Sequence, residues 1–106
     1  MKVNILGTEY GFTPEDDTIT NEDYDGICSI YTKVIKIKPV KALLEKEDDV
    51  EEKITRWKEI TRHEIIHAFF FESGLEEQCY DEQIVDWVAK QFPKMQKVFE
   101  ELGCDR

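Results

Sequence analysis

Positive charge is in short supply. Against 24 Asp and Glu residues stand 14 Lys and Arg, a formal net charge of -10. Phosphate backbones are gripped by clustered Lys and Arg, so nucleic acid is not expected as a main partner. The balance suits a solvated acidic surface, cations or basic partners. Long apolar runs are lacking too. The longest, Ala68–Phe71, is far too short to cross a bilayer. Met1–Gly7 shows no extended apolar region leading to a small-residue cleavage site. The expectation is a cytoplasmic protein with no membrane partner. Cysteine is limited to Cys28, Cys79 and Cys104, with no C-x-x-C pair. An odd, widely spaced set argues for reduced thiols rather than a disulfide framework, with Cys28 expected to be buried. No repeat, low-complexity tract or Gly/Ser/Pro-rich linker divides the 106 residues. A chain of that size builds one modest core, so residues 1–106 read as a single domain.

What is present falls into two halves. Lys2–Leu6 is a short candidate strand, and Gly11–Asp25 is acidic with little aliphatic content, which reads as an exposed loop. From Ile27 to Lys38 the residues are those that suit a pleated surface. There, Ile35 and Ile37 alternate with Val34, Lys36 and Lys38, which predicts one buried face and lysines guarding an exposed sheet edge. Pro39 closes this region. A helix is predicted from Asp48 or Asp49 to Ser73, with acidic residues at its positive end and Gly74 as a cap. Val50, Ile54, Trp57, Thr61, Ile65 and Ala68 share one stripe of it. A second helix is predicted to start between Leu75 and Asp81 and to end at Gly103. Its apolar face is Ile84, Val85, Val88, Phe92, Met95 and Phe99, with a kink or restart at Pro93. Strands first and helices after imply an α+β fold, a small antiparallel or mixed sheet packed on two antiparallel helices.

The chain's two histidines are His63 and His67. Four residues apart on a helix, they differ by about 40° around the axis, so both imidazoles can reach one small cation. Glu64 falls about 100° away, where its carboxylate can touch a water on that cation without being a ligand. Random placement of two histidines would give this H-E-x-x-H pattern in roughly 0.3% of arrangements. A coincidental motif in a metal-free protein is the bland alternative. Catalytic zinc takes three protein ligands and keeps a position open. On the second helix Glu82 and Asp86 share a face, and a short connection brings that face toward the histidines. Glu82 is the candidate third ligand, with Asp86, Asp81 or Glu77 as substitutes. Asp86 is the candidate to orient an imidazole through its other ring nitrogen. Tyr80 and Tyr31 are conceivable oxyanion donors, although core or rim roles are commoner for tyrosine.

His63-Glu64-Ile65-Ile66-His67 followed by Glu82-Gln83-Ile84-Val85-Asp86 resembles the gluzincins over about residues 60 to 90. In them the second helix carries E-x-x-x-D, the Glu ligating zinc and the Asp bonded to a ligand histidine. Small size and element order are similar to compact zincins, including ImmA/IrrE-like metallopeptidases and short phage or prophage proteins. Fourteen residues separate His67 from Glu82, which is short for a gluzincin. The resemblance implies Zn2+ on His63, His67 and Glu82, and peptide or protein substrates hydrolysed with Glu64 as the base. It also implies an upstream edge strand, here Lys33–Lys38 with Val34, Ile35 and Lys36, that aligns the peptide by strand addition. The rival reading is a catalytically weak or inactive zinc-binding module that serves regulation or protein interaction.

Overall fold

The computed structural model describes residues 1–19, 24–43 and 49–106. The fold is α+β. Four strands come first: β1 (Lys2–Ile5), β2 (Thr8–Thr13), β3 (Gly26–Ser29) and β4 (Val34–Ile37). A 3₁₀ turn over Val40–Ala42 leads to α1 (Val50–Glu72), the short α2 (Glu76–Cys79) and α3 (Glu82–Glu101).

β1 and β2 form a hairpin closed by Leu6 and Gly7, whose φ values of 52° and 91° match the tight two-residue turn that twisted strands favour. The Asn4 side chain accepts from the Gly7 N–H at 2.8 Å. Spatial order is β1-β2-β4-β3, with β2 parallel to β4 and β3 antiparallel to it. The chain therefore leaves β2 for the far edge, lays down β3 and returns to fill the gap with β4.

This order corrects two expectations. Gly11–Asp25 is not a plain exposed loop: Gly11–Thr13 belong to β2, and both Asp16 and Ile19 are buried. The described part of the connection is pinned where Asp16 N–H donates to Ile37 O and Trp57 Nε1 donates to Pro14 O. Residues 20–23 of the segment lie outside the described residues. Nor is β4 an edge strand. Because β2 and β3 pair with its two sides, its lysines guard no edge; Lys38 is buried beside Asp25, and Lys36 reaches Asp16 at 3.8 Å.

α1 lies across the sheet. Asp49 caps it by accepting from the N–H groups of Glu51 and Glu52, so the cap is Asp49; Asp48 is outside the described residues. Gly74 ends it with φ 79°. The core is Ile5, Tyr10, Ile35, Ile37, Leu43, Ile60 and Ala68, with Trp57 and Ile65 packed against it. Of the predicted stripe, Val50 and Ile54 remain exposed. Among the cysteines, Cys79 is buried and Cys28 half-buried, the reverse of the expected emphasis, and all three are free thiols.

The second helical stretch begins as α2, and α3 follows once Asp81 has capped it. Instead of restarting at Pro93, α3 runs through it. Proline lacks an N–H, so the carbonyl four residues earlier, Ala89 O, loses its helical donor. Arg62 Nε of α1 supplies one at 2.7 Å. One side chain thereby mends α3 and ties it to α1. Among the described residues no helix is long and apolar enough to cross a membrane.

Candidate metal centre and cleft

α1 presents different faces to its two neighbours. Ile60, Glu64 and Ala68 are buried, while His63 and His67 turn toward α2 and α3. His67 Nδ1 lies 2.6 Å from Cys79 O. A carbonyl can only accept, so Nδ1 carries the proton and neutral His67 points a bare Nε2 the other way. His63 Nδ1 lies 3.5 Å from Asp86 Oδ1, which favours the same tautomer. Asp86 shares its charge with Lys90, whose hydrogen bond is the main cause of its depressed pKa.

Both Nε2 atoms and the Glu82 carboxylate therefore converge. His63 Nε2 is 2.9 Å from Glu82 Oε2, His67 Nε2 is 3.1 Å from Oε1, and the two Nε2 atoms are 3.2 Å apart. Three lone-pair donors facing one another repel unless a proton or a cation sits between them. Around zinc with bonds of about 2.0–2.1 Å in a tetrahedron, neighbouring donors stand about 3.3 Å apart. One ligand atom from each of the three residues lies within 4.8 Å of the others, close enough to share such an ion. His63, His67 and Glu82 also form the one group of potential ligands that converges in this way among the described residues. Of the substitutes for Glu82, Asp86 stands behind His63, Asp81 is spent capping α3, and Glu77 is exposed outside the group.

A cleft of about 610 Å³ opens beside these donors, lined by Glu64, His67 and Glu82 on the helical side and by Gly26, Ile27 and Cys28 of β3 on the other. Glu64 is 8% exposed. Burial first, and then the Glu82 charge, push its carboxyl up to about 7. Burial, and then the charge of the Glu64 carboxylate, push the Cys28 thiol up to about 12, which favours its protonated form. Tyr80 lies on the rim, and a hydrogen bond with Tyr31 is the leading cause that raises its phenol to about 12. Tyr31 itself is exposed and stacks edge-on against Phe71.

Val34, Ile35 and Lys36 do not line this cleft. β4 lies between β2 and β3, with the Ile35 side chain fully buried, so no added strand can pair with it. The strand beside the cleft is β3, at the sheet edge. Gly26 is the residue sequence reasoning passed over. A Cβ built there would stand 3.0 Å from Glu64 Cγ, 3.0 Å from Ile60 Cγ2 and 3.2 Å from Glu64 Oε2. A glycine opening a β-rich run marks such close approaches, and it was the available signal. The Cys79 carbonyl left none, because any residue type offers one.

No family model, no curated protein and no solved structure matches the chain.

Proposed function

We propose that this protein is a minimal zincin-type peptidase, hydrolysing peptides with a divalent cation, zinc by its ligand chemistry, on His63, His67 and Glu82. One observation carries the reading: two imidazole Nε2 atoms and a carboxylate lie within 3.2 Å of one another, beside a buried glutamate in the same cleft. Two imidazoles with one carboxylate is a set that suits catalytic zinc, with room left for a water or substrate oxygen. The cation would supply Lewis acidity toward that oxygen.

The protein's own groups do the rest. Glu64 would take a proton from the attacking water and deliver it to the leaving amine, a role for which its buried position in the cleft beside the donors is suited. The Tyr80 phenol on the cleft rim stays protonated near neutral pH, and it can meet negative charge developing on the scissile oxygen only by turning its single O–H away from Tyr31. Main-chain groups along the edge of β3 offer an extended peptide a register over the cleft. Three free thiols suit a reducing cytoplasm.

Protein purified without added metal should carry about one zinc per chain, and His67→Ala should lose it, read by elemental mass spectrometry. The wild type should cleave members of a peptide mixture, and chelator should stop it. Metal without turnover would replace the peptidase with a zinc-binding regulatory module; neither metal nor turnover would end both readings.

A further inference from the structure

The second half of α3 has almost nothing beneath it. From Phe92 to Arg106 every residue is exposed. Phe92, Met95, Val98, Phe99 and Leu102, the last 75% exposed, nonetheless give it an apolar side. The spacing is regular: Val85, Val88, Phe92, Met95, Phe99 and Leu102 follow steps of three and four, the seam of a helix built to pair with another helix. Val85 uses that seam inside the domain, where it is fully buried. Beyond Phe92 it runs on unmatched. A helix of some ten residues with no packed face is marginal in water.

We infer that the occupant is a second copy of the same chain, its α3 antiparallel to the first across a two-fold axis. The first argument is self-complementarity. An antiparallel register that sets Met95 against the other copy's Phe99 also sets Phe92 against its Leu102, and the symmetry makes each contact twice. Phe92 lines the mouth of an apolar groove of about 400 Å³ with Ile65, Ile66, Phe69, Phe70 and Val88. Leu102, at the tip of each arm, therefore arrives at the groove of the other copy and closes it.

The second argument is charge. The chain carries a net charge of -10, which opposes self-association. Residues 92–106 do not share in it: Lys94, Lys97 and Arg106 balance Glu100, Glu101 and Asp105, three against three. The positions flanking the seam are Gln91, Gln96 and Val98, all uncharged. In this antiparallel register Lys94 of each arm stands level with Glu100 of the other, whereas parallel pairing in register stacks like on like; Lys97 lies on the outward face and takes no part. The arm is the part of this acidic chain fitted to meet its own copy.

The test is the mass in solution. Sedimentation of the full chain should give a dimer, twice 12.5 kDa, at about 10 μM. Met95→Glu/Phe99→Glu should give a monomer with unchanged circular dichroism at the same concentration, since neither side chain is buried within the chain. Lys97→Gln, on the outward face, should stay dimeric. A wild-type monomer would overturn the proposal, as would a dimer that survives the double glutamate. Disulfide trapping fixes direction in a Cys104→Ser background. Phe92→Cys mixed with Leu102→Cys should cross-link, and efficient trapping of Leu102→Cys alone would overturn the antiparallel arrangement.

Discussion

Glu64 and Glu72 lie two turns apart on α1, and the side chains of both are largely withdrawn from solvent. Glu72 is met by donors from three places: Thr8 Oγ1 at 2.9 Å, the Tyr10 hydroxyl at 2.6 Å and Lys33 Nζ at 2.7 Å. The Lys33 hydrogen bond, then that from Tyr10, draw its carboxyl down to about 2. For Glu64 the surroundings offer carbon, the backbone of Gly26 and the charge of Glu82, and its carboxyl rises to about 7. Withdrawal from water is common to both; the supply of donors is not. A satisfied carboxylate fastens α1 to β2 and to the turn before β4. Among the described residues no donor of this kind meets Glu64, and it is the one facing the cleft. One helix thus carries a glutamate clamped by donors and another, the proposed base, that is not.

The most severe way to sharpen that contrast is to remove each charge while keeping shape. Glu64→Gln should lower peptide turnover by about 10²- to 10⁴-fold, the usual worth of a positioned base. Bound zinc and thermal stability should be nearly unchanged. Retained turnover in this variant would take Glu64 out of the chemistry. Glu72→Gln should do the reverse, keeping the cleft's chemistry in the folded protein while costing about 2–3 kcal/mol in urea unfolding, because Lys33 and Tyr10 lose an ionic acceptor. The pH dependence follows from the sign of the shift. A carboxyl held at about 2 when folded, against an ordinary 4.5, stabilises fully above 4.5, and that contribution fades as pH falls from 4.5 toward 2. The separation between the unfolding curves of wild type and Glu72→Gln should therefore be roughly halved at pH 3 relative to pH 6, and should vanish only as pH falls below 2. Equal separation at both would show that the carboxylate's charge is not what holds the clamp.

A smaller break concerns why Glu64 has so little around it. Gly26→Ala puts a methyl group 3.0 Å from Glu64 Cγ and Ile60 Cγ2, tighter than side chains tolerate without shifting. Overpacking of this kind costs about 1–3 kcal/mol. The carboxylate should move with it, so kcat should fall more than KM rises, with zinc content intact. An unchanged kcat would mean that Glu64 tolerates displacement, and the tight β3–α1 approach would then be packing alone.

How far the chain could be read in advance follows the reach of each interaction. α1 was legible from its period and its acidic first turn, and the histidine pair from a spacing that any helix converts into a shared face. Glu82 was within reach because a short connection leaves α3 little choice but to fold back beside α1. β2 was hidden: Thr8–Thr13 holds Glu9 and Gly11, and its partner β4 is supplied by the crossover after β3. The same crossover moved the sheet edge from β4 to β3. Strand order depends on residues distant in sequence, and nothing local to Val34–Ile37 records which neighbours it will have. The Glu72 clamp is of that kind too, drawing on donors 39 to 64 positions away.

The smallest expected effect extends the comparison to a neutral group. Pro93 strips Ala89 O of its helical donor, and Arg62 Nε replaces it at 2.7 Å, so this carbonyl belongs with Glu72 among the satisfied. Arg62→Met keeps most of the stem that lies along the α1–α3 groove and removes the donor. It should cost about 1 kcal/mol, the usual net worth of one hydrogen bond with some penalty for the stranded carbonyl. Pro93→Ala gives the helix back its own N–H. In that background Arg62→Met should cost markedly less, because Ala89 O is no longer stranded. The coupling, read from a double-mutant cycle in urea, should be roughly 0.5–1 kcal/mol in the direction that makes the two changes less than additive. Strict additivity would mean that Ala89 O gains nothing from Arg62, and that α3 passes Pro93 by bending toward water instead.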